Sequence, residues 1–293
     1  MTRVDQLPFL GCTGPFGFDE DPMAVLDAFA QIGCTSCQFY RRVSDPLDAR
    51  FRTTSVDVPR ASGIALAAGM RFDSIHGVFS EHIDPSAPDA AHRTLCLQIY
   101  EHEARLAQSL GGSMIVVHPG AINPGKRWRD AHELAPAAHA ALNPLEDFLR
   151  RLADSAERVG ATFLIENLPP SCSSGFDPAA LAAVIRRVNS GRVRMCFDTG
   201  HAHCTASVFG PVSAMIASCA DVIAYVHVHD NRADADSHLV PGDGTIDWNA
   251  VSSALGATGA TRALELFDPA SRLRELSRTD FPARIRQWLG TAC

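Results

Sequence analysis

The chain has 293 residues, of which 46% are hydrophobic and 20% are charged, and its formal net charge is −7. This composition is typical of a folded protein with a sizeable core, and the acidic balance argues against nucleic acid as the main partner. The N-terminal sequence MTRVDQLPFLGC has no apolar signal core and no run of about 18 apolar residues follows, so we expect a cytoplasmic protein with no membrane partner. The nine cysteines are expected to be buried, reduced thiols.

Short apolar runs alternate with longer amphipathic stretches along the sequence. The predicted strands lie at residues 8–12, 36–40, 72–78, 113–118, 162–166, 194–198, 222–229 and 261–266. The predicted helices lie at 22–33, 55–69, 89–110, 134–158, 177–189, 211–219, 247–257 and 281–290, and three have start signals at Asp21-Pro22, Asp177-Pro178 and Asp247. This alternation predicts an α/β fold, a (β/α)8 (TIM) barrel that forms a single domain over residues 1–293. A doubly wound sheet is the competing fold, but no GxGxxG sequence follows the first strand.

The stretch 163–203 contains the clearest unit of this pattern. Two apolar runs at 163–165 and 193–197 flank a helical segment, and each run ends in a carboxylate, Glu166 and Asp198. Parallel strands place such residues at the same edge, where α/β folds carry their chemistry.

The ends of six consecutive predicted strands carry an imidazole or a carboxylate. In chain order these residues are His76, His118, Glu166, Asp198 with His201, His227 with His229, and Glu265. A mixed set of this kind suits zinc or manganese, with cobalt, magnesium and iron as alternatives. We therefore predict a metal site at the C-terminal face of the barrel.

The seventh strand and its loop leave a choice of ligands. His227 and His229 are two residues apart, so both face the barrel interior. The following loop contains Asp236 and His238, which either cap the loop or reach back over the site.

These motifs resemble the xylose isomerase-like barrel superfamily, which includes sugar isomerases, ketose 3-epimerases, inosose dehydratases and endonuclease IV. The matching pieces, between residues 72 and 267, are IHG, VVHPG, IENL, FDTGHAH, HVHDN, DSHLVPGDGTIDW and LELF. The resemblance implies one divalent metal on Glu166, Asp198, His227 and Glu265, with His229 as the alternative to His227. It also implies that His201 contacts the substrate.

Endonuclease IV, which binds three zinc ions, matches the chain in all nine of its metal-ligand types. This resemblance adds five candidate ligands for further ions: His76, His118, His201, Asp236 and His238. The stretches with which that enzyme contacts DNA are not evident after His76 or at residues 38–42.

Three hypotheses of function follow. The first is a metal-dependent isomerase or epimerase that acts on a sugar, sugar phosphate or inosose-type carbonyl through an enediolate, with Glu166 and Glu265 transferring the proton. The second is an endonuclease IV-like phosphoesterase with two or three metal ions, and the third is a non-catalytic barrel that binds a metal–ligand complex. The candidate substrate-binding residues of the first hypothesis are His201, His229, Arg232, His76 and Trp128.

Two further reactions are disfavoured by the sequence. Lys126 is the only lysine, and it lies in the basic loop 121–129, which is read as a solvated loop or an anion clamp, so Schiff-base chemistry is not expected. Cys196 is read as a buried thiol below the metal site and not as a nucleophile. The expected partner is a small sugar-like molecule, and a homo-oligomer is left open.

Overall fold

A computed structural model describes residues 10–16, 21–41, 56–122, 140–267 and 269–289. Eight parallel strands form a closed barrel in sequence order, with β1 paired to both β2 and β8. The strands are β1 (Leu10–Phe16), β2 (Ser36–Arg41), β3 (Arg71–His76), β4 (Met114–Val117), β5 (Thr162–Glu166), β6 (Val193–Asp198), β7 (Ile223–Val228) and β8 (Thr261–Leu264). The predicted TIM barrel is confirmed, whereas its extent as a single domain over 1–293 stays a prediction.

Helices surround the barrel and follow its strands. In the described residues they are α1 (Pro22–Gln31), α2 (Val58–Ala67), α3 (Ala90–Leu110), α4 (Leu142–Val159), α5 (Pro178–Val188), α6 (Thr199–Cys204), α7 (Ala206–Phe209), α8 (Val212–Cys219), α9 (Trp248–Leu255), α10 (Pro269–Leu276) and α11 (Phe281–Leu289). The predicted start signals are confirmed, because Asp21, Asp177 and Asp247 each accept a hydrogen bond from a backbone N–H in the first turn. No helix in this part of the chain combines the length and the apolar character that crossing a membrane requires.

The expected count of eight helices was too low. The sequence pattern missed α6, α7 and α10, which are only six, four and eight residues long. Elements of one or two turns carry too few residues for a period of 3.6 to be visible. The omission of α6 matters most because this helix begins directly at the end of β6 and carries His201.

Strand alternation places the candidate ligands at one mouth of the barrel. A small apolar layer fills the barrel interior, formed by Val116, Leu164, Cys196, Tyr225 and Ala263. Since side chains on a strand repeat their direction every two residues, the residues two positions further along also face inwards. These residues are His118, Glu166, Asp198, His227 and Glu265. The barrel interior is therefore apolar below and lined with metal-type donors at its C-terminal end.

Candidate metal centre

Four donors meet at the centre of this mouth, and we call Glu166, Asp198, His227 and Glu265 the central group. Each offers a ligand atom, and these atoms all lie within 4.8 Å of one another. Nδ1 of His227 lies 2.8 Å from Oε1 of Glu166 and 3.0 Å from Oε2 of Glu265. Ligands that share an ion at about 2.0–2.3 Å have separations of this order. The structure thus brings together the four residues that the sequence proposed as metal ligands.

A first flanking group lies on one side of the centre and consists of His76, His118 and Glu166. Nε2 of His118 lies 3.1 Å from Oε2 of Glu166, and Nε2 of His76 lies 3.6 Å from the same oxygen. Glu166 therefore belongs to both groups, with Oε1 toward His227 and Oε2 toward the two other histidines.

A second flanking group lies on the other side and consists of His201, His229, Asp236 and His238. Oδ2 of Asp236 lies 3.2 Å from Nε2 of His201 and 3.3 Å from Nε2 of His238. Asp236 and His238 thus reach back over the site. His229 lies in this group, with Nε2 2.9 Å from Oδ1 of Asp198, and it does not take the place of His227.

The loop that carries Asp236 and His238 is anchored by a buried carboxylate, Asp230. Its Oδ2 accepts hydrogen bonds from Nε1 of Trp248 at 2.8 Å and from the Gly242 amide at 2.9 Å. Asp230 also pairs with Leu239 through two backbone hydrogen bonds, of 2.7 and 2.8 Å. His238 adopts a left-handed backbone conformation with φ of 44°, which costs of order 1–3 kcal/mol in a residue other than glycine. The anchored loop holds His238 in this unfavourable conformation over the site.

The end of β5 and the start of α6 are joined by Asn167. Its Oδ1 accepts from the Asp198 amide at 2.8 Å, and its Nδ2 donates to the Asp198 carbonyl oxygen at 2.9 Å. Asp198 in turn caps α6, since its Oδ1 accepts from the His201 amide at 2.6 Å. Asn167 and the helix cap therefore fix Asp198 and His201 relative to Glu166.

Backbone carbonyls fix the tautomers of three histidines. His76, His201 and His238 each donate from Nδ1 to a backbone carbonyl oxygen, at 2.9, 2.9 and 3.0 Å. Their Nε2 atoms then face the carboxylates of the site. Metal-ligating histidines in proteins are oriented in this way.

Three carboxyl groups of the site have pKa values that favour their ionised forms. Burial raises the pKa of Glu166, but the imidazoles of His227 and His118 outweigh burial and hold this pKa well below its usual range. Burial likewise raises the pKa of Glu265, and His227 and His238 reverse the effect. Burial also raises the pKa of Asp236, but His201 and His238 outweigh burial and hold this pKa well below its usual range.

The pKa values of the histidines depend on these carboxylates and on burial. Burial lowers the pKa of His238, but Asp236 outweighs it and raises the pKa to about 9. The pKa values of His201 and His227 are also raised well above the ordinary value, whereas burial dominates at His76 and lowers its pKa to about 4. A divalent cation and these protons therefore compete for the same nitrogens, and metal binding would release protons.

Unpartnered buried oxygens support a cation here. Within the described residues, Oε2 of Glu166 and Oδ1 of Asp236 are buried and accept no well-oriented hydrogen bond. A buried, ionised oxygen without a donor is costly unless a cation satisfies it. The residues present thus fit a divalent ion. Cys196 lies close to Glu166 and His227, and burial raises the pKa of its thiol to about 12, in line with a buried thiol.

Gly200 in α6 gives His229 the space that it occupies. A Cβ at this position would overlap the imidazole ring of His229, so Gly200→Ala should displace that ring. We expect the variant to lose about 1–3 kcal/mol of unfolding free energy, as overpacked sites do, and to bind less metal at the second flanking group. Thermal unfolding and bound-metal analysis measure both effects.

Gly63→Ala is the matched control for this prediction. Gly63 lies in α2, where an added Cβ meets no atom within 4 Å, so alanine should stabilise the helix by about 0.5–1 kcal/mol. Equal stability and metal content in wild type and Gly200→Ala would contradict the packing role of Gly200.

Two predicted substrate-binding residues are not part of these groups. Arg232 is exposed, and its guanidinium donates to the Asp243 carbonyl oxygen at 2.9 Å. Trp128 lies outside the described residues, as do Lys126 and most of the basic loop. Their roles stay predictions.

Two phenylalanine rings flank the site and were missed from the sequence. Phe79 stacks on His118 with ring centroids 4.4 Å apart, and Phe267 stacks on His238 at 4.1 Å. The side chain of Phe267 is exposed (65%), which is unusual for a large apolar residue. In the sequence, Phe79 follows His76 by three residues and Phe267 follows Glu265 by two. This nearness to candidate ligands was the signal that could have identified both rings.

The fold and the site define the class of the protein as a TIM barrel with a cluster of metal-type donors at its C-terminal mouth. The family model described as "xylose isomerase-like TIM barrel" matches residues 26–281, and the chain belongs to this family.

Related proteins share parts of the sequence or the whole fold. The uncharacterized protein MJ1311 of Methanocaldococcus jannaschii is 26% identical over 186 residues, which are 63% of this chain and 60% of that protein. Among solved structures, a D-tagatose 3-epimerase-like protein aligns with a TM-score of 0.70 at 17% identity and covers 96% of this chain and 97% of its own. An L-ribulose 3-epimerase aligns with a TM-score of 0.67 at 19% identity, over 97% and 95%. At these identities the structural likeness shows the fold alone.

Proposed function

We propose that the protein is a divalent-metal-dependent isomerase or epimerase that acts on the carbonyl of a sugar, sugar phosphate or inosose-type polyol. The convergence of the central group within 4.8 Å carries the proposal, because it supplies two glutamates, an aspartate and a histidine at one point. The similarity of the fold to a D-tagatose 3-epimerase-like protein and an L-ribulose 3-epimerase supports the same class of reaction.

The metal is held by Glu166, Asp198, His227 and Glu265 in this proposal. Three carboxylates and one imidazole suit manganese or zinc. When bound, such an ion supplies Lewis acidity, which polarises a carbonyl group and stabilises the negative charge of an enediolate.

Glu166 and Glu265 move the proton. Both are ionised at neutral pH, since the neighbouring histidines hold their pKa values below the usual range. Both also contact Nδ1 of His227, so they border the same small space. One glutamate would remove the proton next to the carbonyl, and the other, after taking up a proton from solvent, would deliver it to the opposite face, which changes the configuration of that carbon. The first glutamate would then release its proton to solvent.

The rim of the site suits a sugar. His201 and His76 present ring nitrogens beside the central group, where they would form hydrogen bonds with substrate hydroxyls. Phe79 and Phe267 flank the two ends of the donor cluster and offer apolar faces to the C–H groups of a sugar.

A second candidate function is hydrolysis of a phosphate ester at two or three metal ions. The two flanking groups favour it, because they add separate donor sets that border the central group. Ions bound by neighbouring donor sets would stabilise both the attacking and the leaving oxygen of the ester.

Metal content and a substrate panel separate the two functions. The protein is purified, its metal ions per chain are counted by mass spectrometry, and it is assayed with ketoses, inososes, a phosphomonoester and abasic-site DNA. About one ion per chain with ketose or inosose turnover that stops on chelation supports the epimerase proposal. Two or three ions with phosphate release support the hydrolase, and turnover that survives complete metal removal contradicts both.

A further inference from the structure

His227 differs from three other histidines of the site in the partner of its second ring nitrogen. His76, His201 and His238 donate to backbone carbonyl oxygens, which accept hydrogen bonds only. Nε2 of His227 instead lies 3.1 Å from Oε1 of a side-chain amide, Gln38 on β2. A primary amide presents either its oxygen or its NH2 group, so the tautomer of His227 depends on what orients Gln38.

A chain of hydrogen bonds through the barrel interior orients that amide. Oγ of Ser74 donates to Oδ1 of Asp73 at 2.7 Å when Asp73 is ionised, because a carboxylate accepts only. Burial raises the pKa of Asp73, and the hydrogen bond from Ser74 opposes that rise. The hydroxyl has one proton, so Ser74 must accept from Nε2 of Gln38, which lies 3.2 Å away. The oxygen of Gln38 then faces His227, and Nε2 of His227 must carry the proton.

Burial keeps water away from the middle of this hydrogen-bond chain. Gln38 and His227 are fully buried and Ser74 is 1% exposed, so water does not compete for these bonds. When a metal displaces the proton from Nδ1, the proton held on Nε2 stays, and the lone pair of His227 lies on Nδ1, the atom that faces Glu166 and Glu265. The opposite tautomer would direct an N–H bond to the point where the central group converges.

We infer that Gln38 is a positioning residue that fixes the metal-binding tautomer of His227, and that Asp73 sets the polarity of the chain through Ser74. The inference rests on the proposed metal-dependent function. It assigns a role to a buried polar chain that no step of the proposed reaction uses. Outer partners of this kind typically change metal affinity by about 10–100-fold.

Variants of the residues in this hydrogen-bond chain test the role of Gln38. The quantity measured is zinc affinity, in competition with a chromophoric chelator. Gln38→Leu removes the acceptor and should weaken zinc binding by about 10–100-fold. Gln38→Glu keeps an oxygen toward Nε2 and should restore the wild-type affinity or exceed it. Asp73→Asn does not touch His227, yet its amide can donate to Ser74 and reverse the chain, so it should weaken binding by about 10-fold.

Tyr225→Phe is the matched control. The Tyr225 hydroxyl contacts both Ser74, at 3.1 Å, and Asp73, at 3.3 Å, but the path from Asp73 to His227 does not pass through it. We expect its zinc affinity to stay within about twofold of wild type. Wild-type affinity in Gln38→Leu, or an equal effect of Asp73→Asn and Tyr225→Phe, would overturn the inference. If Gln38→Leu does not fold, the zinc affinity of Asp73→Asn, compared with that of Tyr225→Phe, tests the inference.

Neutron diffraction of the deuterated, chelator-treated protein tests the polarity without metal. The expected map shows deuterium on Nε2 of His227, the NH2 group of Gln38 toward Ser74, and the Ser74 proton toward Asp73. A reversed amide would refute the inference. This measurement stays decisive even if the protein binds no metal at the central group, an outcome that would refute the proposed function instead.

Discussion

Glu166→Gln is expected to lower turnover by at least about 10³-fold while the protein stays folded. Glu166 belongs to the central group and the first flanking group, and its two oxygens contact His227 and His118 at 2.8 and 3.1 Å. The amide has the same shape, but it cannot accept a proton and replaces one anionic ligand oxygen with an N–H donor. Steady-state turnover on the substrate identified by the panel and thermal unfolding measure the two effects.

The control for Glu166→Gln is Glu157→Gln, the same chemical change outside the site. Glu157 is an exposed residue of α4 that pairs with Arg192 at 2.9 Å. Exposed ion pairs of this type contribute about 0–1 kcal/mol, so activity and fold should be nearly those of wild type. If Glu166→Gln keeps more than about a tenth of wild-type turnover, Glu166 is neither the proton acceptor nor an essential ligand.

Asp198→Asn is expected to weaken metal binding by at least about 100-fold and to reduce turnover accordingly. Asp198 joins the central and second flanking groups, because its carboxylate oxygens lie 2.9 and 3.0 Å from Nε2 of His229. Asparagine still accepts a hydrogen bond from the His201 amide as a helix cap. The substitution therefore removes only the negative charge and the second carboxylate oxygen. Chelator competition and bound-metal analysis measure the affinity.

Asp89→Asn separates the capping role from the role in the site. Asp89 caps α3 through the Ala91 amide at 3.0 Å, on the exposed surface. Because Asn and Asp cap helices almost equally well, this variant should change stability by only a few tenths of a kcal/mol. If Asp198→Asn, like Asp89→Asn, changes stability only slightly and leaves metal affinity and turnover unchanged, Asp198 serves only as a cap.

The barrel and the central group could be predicted because both depend on local periodicity. Residues 162–166 were predicted as a strand and form β5, whose alternation points Leu164 and Glu166 into the barrel. The repeat of short apolar runs ending in His, Asp or Glu marks one mouth of a parallel barrel without any knowledge of tertiary contacts.

The parts that could not be predicted depend on contacts between distant residues. Gln38 and His227 are 189 positions apart, and a single polar residue in an apolar strand does not show which side chain it will meet. Asp230 follows the two histidines of the seventh strand, and its bonds to the Gly242 amide and Trp248 make it the anchor of the loop. The sequence therefore left open whether His238 reached the site, since that depended on this anchor.

The most direct test of the proposed metal centre is anomalous X-ray diffraction from crystals of the protein grown with zinc or manganese, with data collected at the metal edge. We expect a peak about 2.0–2.3 Å from ligand atoms of Glu166, Asp198, His227 and Glu265. Further peaks at the flanking groups would favour the multinuclear hydrolase. A fully metal-loaded protein with no peak among these four residues would contradict the proposal that they hold a common ion.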